Sequence, residues 1–152
     1  MSSHFEVLKT FFEKPVCQAA TKPLRDGVQI ALHLDGADPV TLEKQNGVIQ
    51  VVNAAPKKAD MSFWVPAGAI ETLSKVETTD VGEVGVEILK LMAHSDPAYH
   101  MTAKVHIGVF DLLRHGYLGV LPLGGPTVMK FLGSKGFGNM NKIREAISRM
   151  RS

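Results

Sequence analysis

The segment VQIALHL, residues 28–34, alternates apolar and polar side chains, and PVTLEKQ at 39–45 alternates again. In the first run Val28, Ile30, Leu32 and Leu34 fall on one side, with Gln29, Ala31 and His33 on the other. A period of two is that of a pleated strand with one buried face. Asp35-Gly36 separates the two runs, and Asn46-Gly47 separates the second from a third strand over 47–53. Asn and Gly tolerate positive φ, which the tightest hairpin turns require. A chain carrying this block is committed to a sheet, and the rest of it must cover one face.

The cover is legible as helices. Ser3 and Glu6 form a capping box, and Phe5, Leu8 and Phe12 follow at helical spacing until Pro15. A short second helical piece is expected over 17–21. After a polar loop, Met61, Phe63 and Val65 share a face of a fourth strand, and the residues from Ala67 to Lys75 read as a short helix with Ile70 and Leu73 inward. Asp80 caps a further helix whose stripe is Val84, Ile88, Leu91 and Met92. Met101, Ala103, Val105, Ile107 and Val109 alternate as a fifth strand, and Met140, Ile143, Ile147 and Met150 mark a closing amphipathic helix. The expectation is an α+β fold: a five-stranded, mainly antiparallel sheet with helices packed on one face. At 152 residues the chain suits one domain, 1–152, with a Gly-rich basic extension at 109–152.

Composition narrows the chemistry. The single cysteine, Cys17, permits no intrachain disulfide. With acidic residues and no long apolar run near the N-terminus, it points to a cytoplasmic chain. Residues 1–111 hold ten Lys/Arg against fourteen Asp/Glu, whereas 112–152 hold Arg114, Lys130, Lys135, Lys142, Arg144, Arg149 and Arg151 against Glu145 alone. Such an end is either a solvated face or a contact for an anionic membrane surface. Basic residues interleaved with stacking aromatics are lacking, so nucleic acid is not expected as a partner.

The stretch GYLGVLPLGGPTVMKFLGSKGFG, 116–138, holds seven glycines and no carboxylate. It lacks the Gly-Lys-Ser/Thr ending of a phosphate loop and the spacing of a dinucleotide fingerprint. Pro122, Pro126 and Lys130 interrupt it too often for a membrane span. The six histidines show no metal-ligand spacing, and no nucleophile–base pair stands out. No metal, cofactor or catalytic residue is therefore expected, and the chain reads as a non-enzyme. Phe63, Ile70, Leu73, Ile88, Met92, Leu118, Val120, Leu123, Val128, Met129, Phe131 and Leu132 instead make a large apolar inventory. It serves either a simple core or a core opened around an apolar ligand.

The order of these elements resembles the sterol carrier protein 2 family. The likeness runs over roughly 5–110 and rests on the hairpin block, on Lys58-Ala59-Asp60 before MSFWV, on the helix ending in SDPAY, and on Ala103-Lys104-Val105-His106-Ile107-Gly108. It implies a five-stranded sheet, helices over one face, and between them an apolar tunnel for fatty acyl chains, sterols or other lipids, carried without chemistry. Under that reading Ile30, Leu32, Phe63, Val65, Val105 and Ile107 line the sheet side. Ile70, Leu73, Ile88 and Met92 line the helix side, with Leu118, Val120, Met129, Phe131 and Leu132 from the extension. The segment 116–138 is then wall and movable cover, hinged at Gly124-Gly125-Pro126, or else a packed connector. The alternative function is a protein- or membrane-docking module that kept the fold and filled the tunnel.

Overall fold

A computed structural model describes residues 3–123 and 125–134, together with Glu145 and Arg149. The element order is α1 (His4–Glu13), α2 (Pro15–Ala20), β1 (Gln29–Leu34), β2 (Val40–Gln45), β3 (Val48–Val52), β4 (Met61–Val65), α3 (Ala67–Ser74), α4 (Val81–Met92) and β5 (Thr102–Val105). Beyond β5 come α5 (Val109–Arg114), a 3₁₀ turn at Tyr117–Gly119, α6 (Val120–Leu123) and α7 (Gly125–Ser134). The expected closing helix and Gly124 lie outside the described residues, while Gly125 and Pro126, the rest of the expected hinge, begin α7.

The five strands form one sheet in the order β3-β2-β1-β4-β5. Only β1 and β4 run parallel, with Leu32 opposite Phe63; the β1–β2, β2–β3 and β4–β5 pairs are antiparallel. The fold is therefore α+β with a mixed, mostly antiparallel sheet. Asn46 (φ 52°) and Gly47 (φ 78°) make the tight turn between β2 and β3. Alternation sends Ile30, Leu32, Leu42, Ile49, Val51 and Val65 into a core shared with Leu8, Phe11, Val16, Ile70, Leu73, Val84 and Leu91 from α1–α4. On the opposite face Trp64 stacks on its neighbour His33, the ring centroids 4.6 Å apart.

Both helix starts read from capping residues are present. The Ser3 hydroxyl accepts from the Glu6 N–H at 3.2 Å, and Asp80 accepts from the Gly82 N–H at 2.9 Å. Pro15 sits at the start of α2, where its missing N–H costs nothing.

The fifth strand is shorter than the alternation suggests. It stops at Val105, opposite Met61. The His106 N–H still reaches the Asp60 carbonyl at 2.9 Å, and the chain then turns through Gly108 into α5. Ile107 thus lies outside the strand, and Val109 begins a helix.

Candidate functional site

An apolar cavity of about 240 Å³ lies between the inner sheet face and the helices. Ile30, Leu32 and Leu42 contribute from β1 and β2, Met61, Phe63 and Val65 from β4, and Leu8, Phe12, Leu73 and Ile88 from the helices. Thr21, Leu24, Met101, Tyr117 and Val120 complete it. A second cavity of about 230 Å³ continues between α1, α2, α4 and α7, bounded by Phe11, Cys17, Ala20, Val84, Leu89 and Val128 among others. Phe12, Thr21, Ile88 and Val120 belong to both walls. The pair is a divided space, and three of its four dividers are apolar side chains.

The polar groups near it are already engaged. The Thr21 hydroxyl donates to the Cys17 carbonyl at 2.9 Å, and the Tyr117 hydroxyl donates to Asp60 Oδ2 at 3.0 Å. Burial, and then the negative charge of Asp60, raise the Tyr117 phenol above its ordinary value, so it stays protonated. Burial likewise pushes the Cys17 thiol up to about 11, against a smaller opposing influence of Lys14. The space therefore offers hydrocarbon contact and no free charge.

Asp60 holds the end of the space together. In the sequence it closes the run Lys58-Ala59-Asp60; in the fold it is 4% exposed and engages two distant side chains. Besides Tyr117, its Oδ2 lies 2.7 Å from His115 Nδ1. The residues that close the cavity at 115–120 are thereby tied to the base of β4. Gly116, between the two ligands of Asp60, has φ 92° and its backbone presses so closely on Pro23 that a Cβ would lie 2.0 Å from the Pro23 carbonyl oxygen. Only glycine fits there.

Of the residues expected to line an apolar site, Ile30, Leu32, Phe63, Val65, Leu73, Ile88 and Val120 meet at the first cavity. Ile70 (2% exposed) and Val105 (3%) are closed into the core, and Met92 packs against it without reaching the cavity wall. Leu132 joins Val128 in a separate cluster with Val86 and Leu89, where α7 rests on α4. Phe131 is half-buried, as is Ile107, and neither borders either cavity. The side chains of Leu118 and Met129 lie outside the described residues. The stretch from Gly116 thus contributes wall through Tyr117, Val120 and Val128, and closed packing on α4 through Leu132.

Sequence reading missed Leu8, Phe12, Thr21, Leu24, Leu42, Met61, Met101 and Tyr117 as lining residues. Phe12 and Met61 were visible as inward positions, but no local signal separates a residue beside a void from one in closed packing. Among the basic candidates, Arg114, Lys130 and Arg149 are exposed, Arg114 near Asp111 at 3.9 Å and Arg149 near Glu145 at 3.8 Å. Lys135, Lys142, Arg144 and Arg151 lie outside the described residues. Among the described residues, no helix is long and apolar enough to cross a membrane, and no group of three His, Cys, Asp or Glu side chains is placed to hold a metal.

Comparison with known proteins adds little to these contacts. No protein-family model matches the chain, and no curated protein does. Among solved structures the chain is similar to one described as "UbiJ-SCP2 Ubiquinone synthesis protein", at 13% identity and a TM-score of 0.42, over 78% of this chain and 84% of that one.

Proposed function

We propose that this chain, acting as one domain, binds the hydrocarbon part of an apolar ligand between its sheet and helices and carries or presents it without transforming it. The observation that supports this reading is the lining of the 240 Å³ cavity. Every side chain around it is apolar except Thr21 and Tyr117, whose hydroxyls are already bonded elsewhere. Neither cavity alone reaches the roughly 300–1,000 Å³ of ordinary small-molecule sites. A fatty acyl or similar flexible chain that runs through both, parting Phe12, Ile88 and Val120, fits better than a rigid, bulky ring system.

A fluorescent fatty-acid analogue tests this. It is expected to bind saturably with Kd near or below a micromolar value, about −8 kcal/mol. Ile88→Trp fills the boundary between the two cavities and is expected to weaken binding about tenfold or more, while costing about 1–3 kcal/mol of folding stability. Absence of saturable binding overturns the reading, and so does unchanged affinity in a folded Ile88→Trp protein.

A further inference from the structure

Helix α5 (Val109–Arg114) turns one side inward and leaves the other bare. Leu112 is 2% exposed, whereas Phe110 and Leu113 are 70% and 57% exposed. At helical spacing Leu113, Phe110 and Arg114 fall within an arc of roughly 100°, with Leu112 behind them. The Arg114 guanidinium lies 5.9 Å from the centre of the Phe110 ring. An aromatic, an aliphatic and a cation side by side in water make a surface whose apolar part gains by being covered.

We propose that this arc of α5 docks on an anionic lipid bilayer, with Phe110 and Leu113 entering the acyl boundary and Arg114 meeting phosphate-bearing headgroups. Charge selects that partner: from residue 111 onward the chain carries seven Lys/Arg against Asp111 and Glu145, Asp111 standing 3.9 Å from Arg114, and Lys130 is exposed on α7. Size selects it too. Two large side chains on a six-residue helix fall far short of the ~800 Å² per partner of a standard protein interface, while a bilayer needs no matching shape. Continuity gives the docking a purpose. From Arg114 the chain passes through His115 and Gly116 directly to Tyr117 and Val120, which line the cavity. Only this last step rests on the ligand reading above; docking itself is measured without ligand.

The test is co-sedimentation with vesicles of phosphatidylcholine containing about 30% phosphatidylglycerol, beside pure phosphatidylcholine vesicles. The protein is expected to pellet with the first and far less with the second. Phe110→Ala with Leu113→Ala is expected to lower the partition coefficient about tenfold or more, and Arg114→Gln about fivefold on the anionic vesicles only. Circular dichroism and the affinity for the fluorescent fatty acid without vesicles are expected to stay unchanged in the double variant. As a second readout, Phe110→Trp in a Trp64→Phe background is expected to shift its emission to the blue on anionic vesicles. Equal partition of the double variant and the parent, or an unshifted indole, overturns the proposal. A lipid-free dimer that Phe110→Ala and Leu113→Ala dissolve also overturns it, because the arc then serves a second copy of the chain. Loss of fatty-acid binding with vesicle binding intact counts against the carrier reading and leaves the docking surface standing.

Discussion

The two ends of the inner sheet face are built from the same kinds of side chain, and only one of them is solid. At the β3 end, Ile49 is 0% exposed and Val51 4%, and neither borders a cavity. At the β4 end, Met61 and Phe63 stand half-buried beside a cavity. The difference lies in how each end is tied. Gln18 of α2 donates to the carbonyls of Phe12 and Ile49 and accepts from the Ile49 N–H, at 2.8–3.0 Å, so helix and edge strand are drawn together. At the other end the tie is Asp60, and it fastens a loop, 115–117, in place of a packed helix. Apolar composition alone does not decide whether a core closes; the placement of a few polar ties does.

The contrast is broken most severely by one substitution made at both ends. Ile49→Ala is expected to cost about 2–5 kcal/mol, because close-packed surroundings cannot collapse onto the space it leaves. Ile88→Ala, in a side chain that already borders both cavities, is expected to cost less than half as much. Urea denaturation of the two variants measures the difference, and equal losses would mean that the β4 end is packed as tightly as the β3 end.

A smaller effect is expected at the loop tie. Asp60→Ala leaves the Tyr117 hydroxyl and His115 without their acceptor, at a cost of about 1–3 kcal/mol. Hydrogen exchange sharpens the reading: amides at 115–120 are expected to lose protection while Ile49 keeps its own. Uniform loss along the chain would make Asp60 a residue of the general core and no local fastening.

The smallest effect concerns dryness beside the second cavity. Cys17 borders the second cavity, yet burial holds its thiol up to about 11, against an ordinary value of 9.0. The folded state then keeps a proton that the unfolded state releases. The stability this gives is fully present below pH 9 and is lost as pH rises through about 11. The fall in urea midpoint over that interval is expected to be shallower in Cys17→Ala. An identical pH dependence in parent and variant would indicate that water reaches the thiol through the cavity.

These ties explain what could be read in advance. The hairpin block was legible because alternation and the Asn46-Gly47 turn are local, and β2 and β3 pair at the register they dictate. The end of β5 was not, since Ile107 and Val109 keep the alternation while the backbone has already turned at Gly108 into α5. Lys44 occupies an inward position on β2, 3% exposed, where its Nζ donates to the Thr21 carbonyl at the end of α2. Burial lowers its pKa, with Asp26 opposing. Its position was visible from the period of two, but its partner, 23 residues away, was not. Asp60 and His115 are separated by 55 residues, so no spacing rule connects them. The lining of the cavity was legible as a set of inward residues and no further, because whether such residues touch one another or a void depends on how far apart the ties hold their elements.

Gln18 also bears on how the molecule behaves in a crowd. β3 is an edge of the sheet, and an edge ordinarily offers its free N–H and C=O groups as a template for a strand from another chain. Here one side-chain amide occupies both backbone groups of Ile49, as a neighbouring strand would, while Val48 beside it remains half exposed. The residue that draws α2 onto the sheet therefore also denies a docking point for strand-by-strand growth, so that colloidal stability and internal packing depend on the same amide.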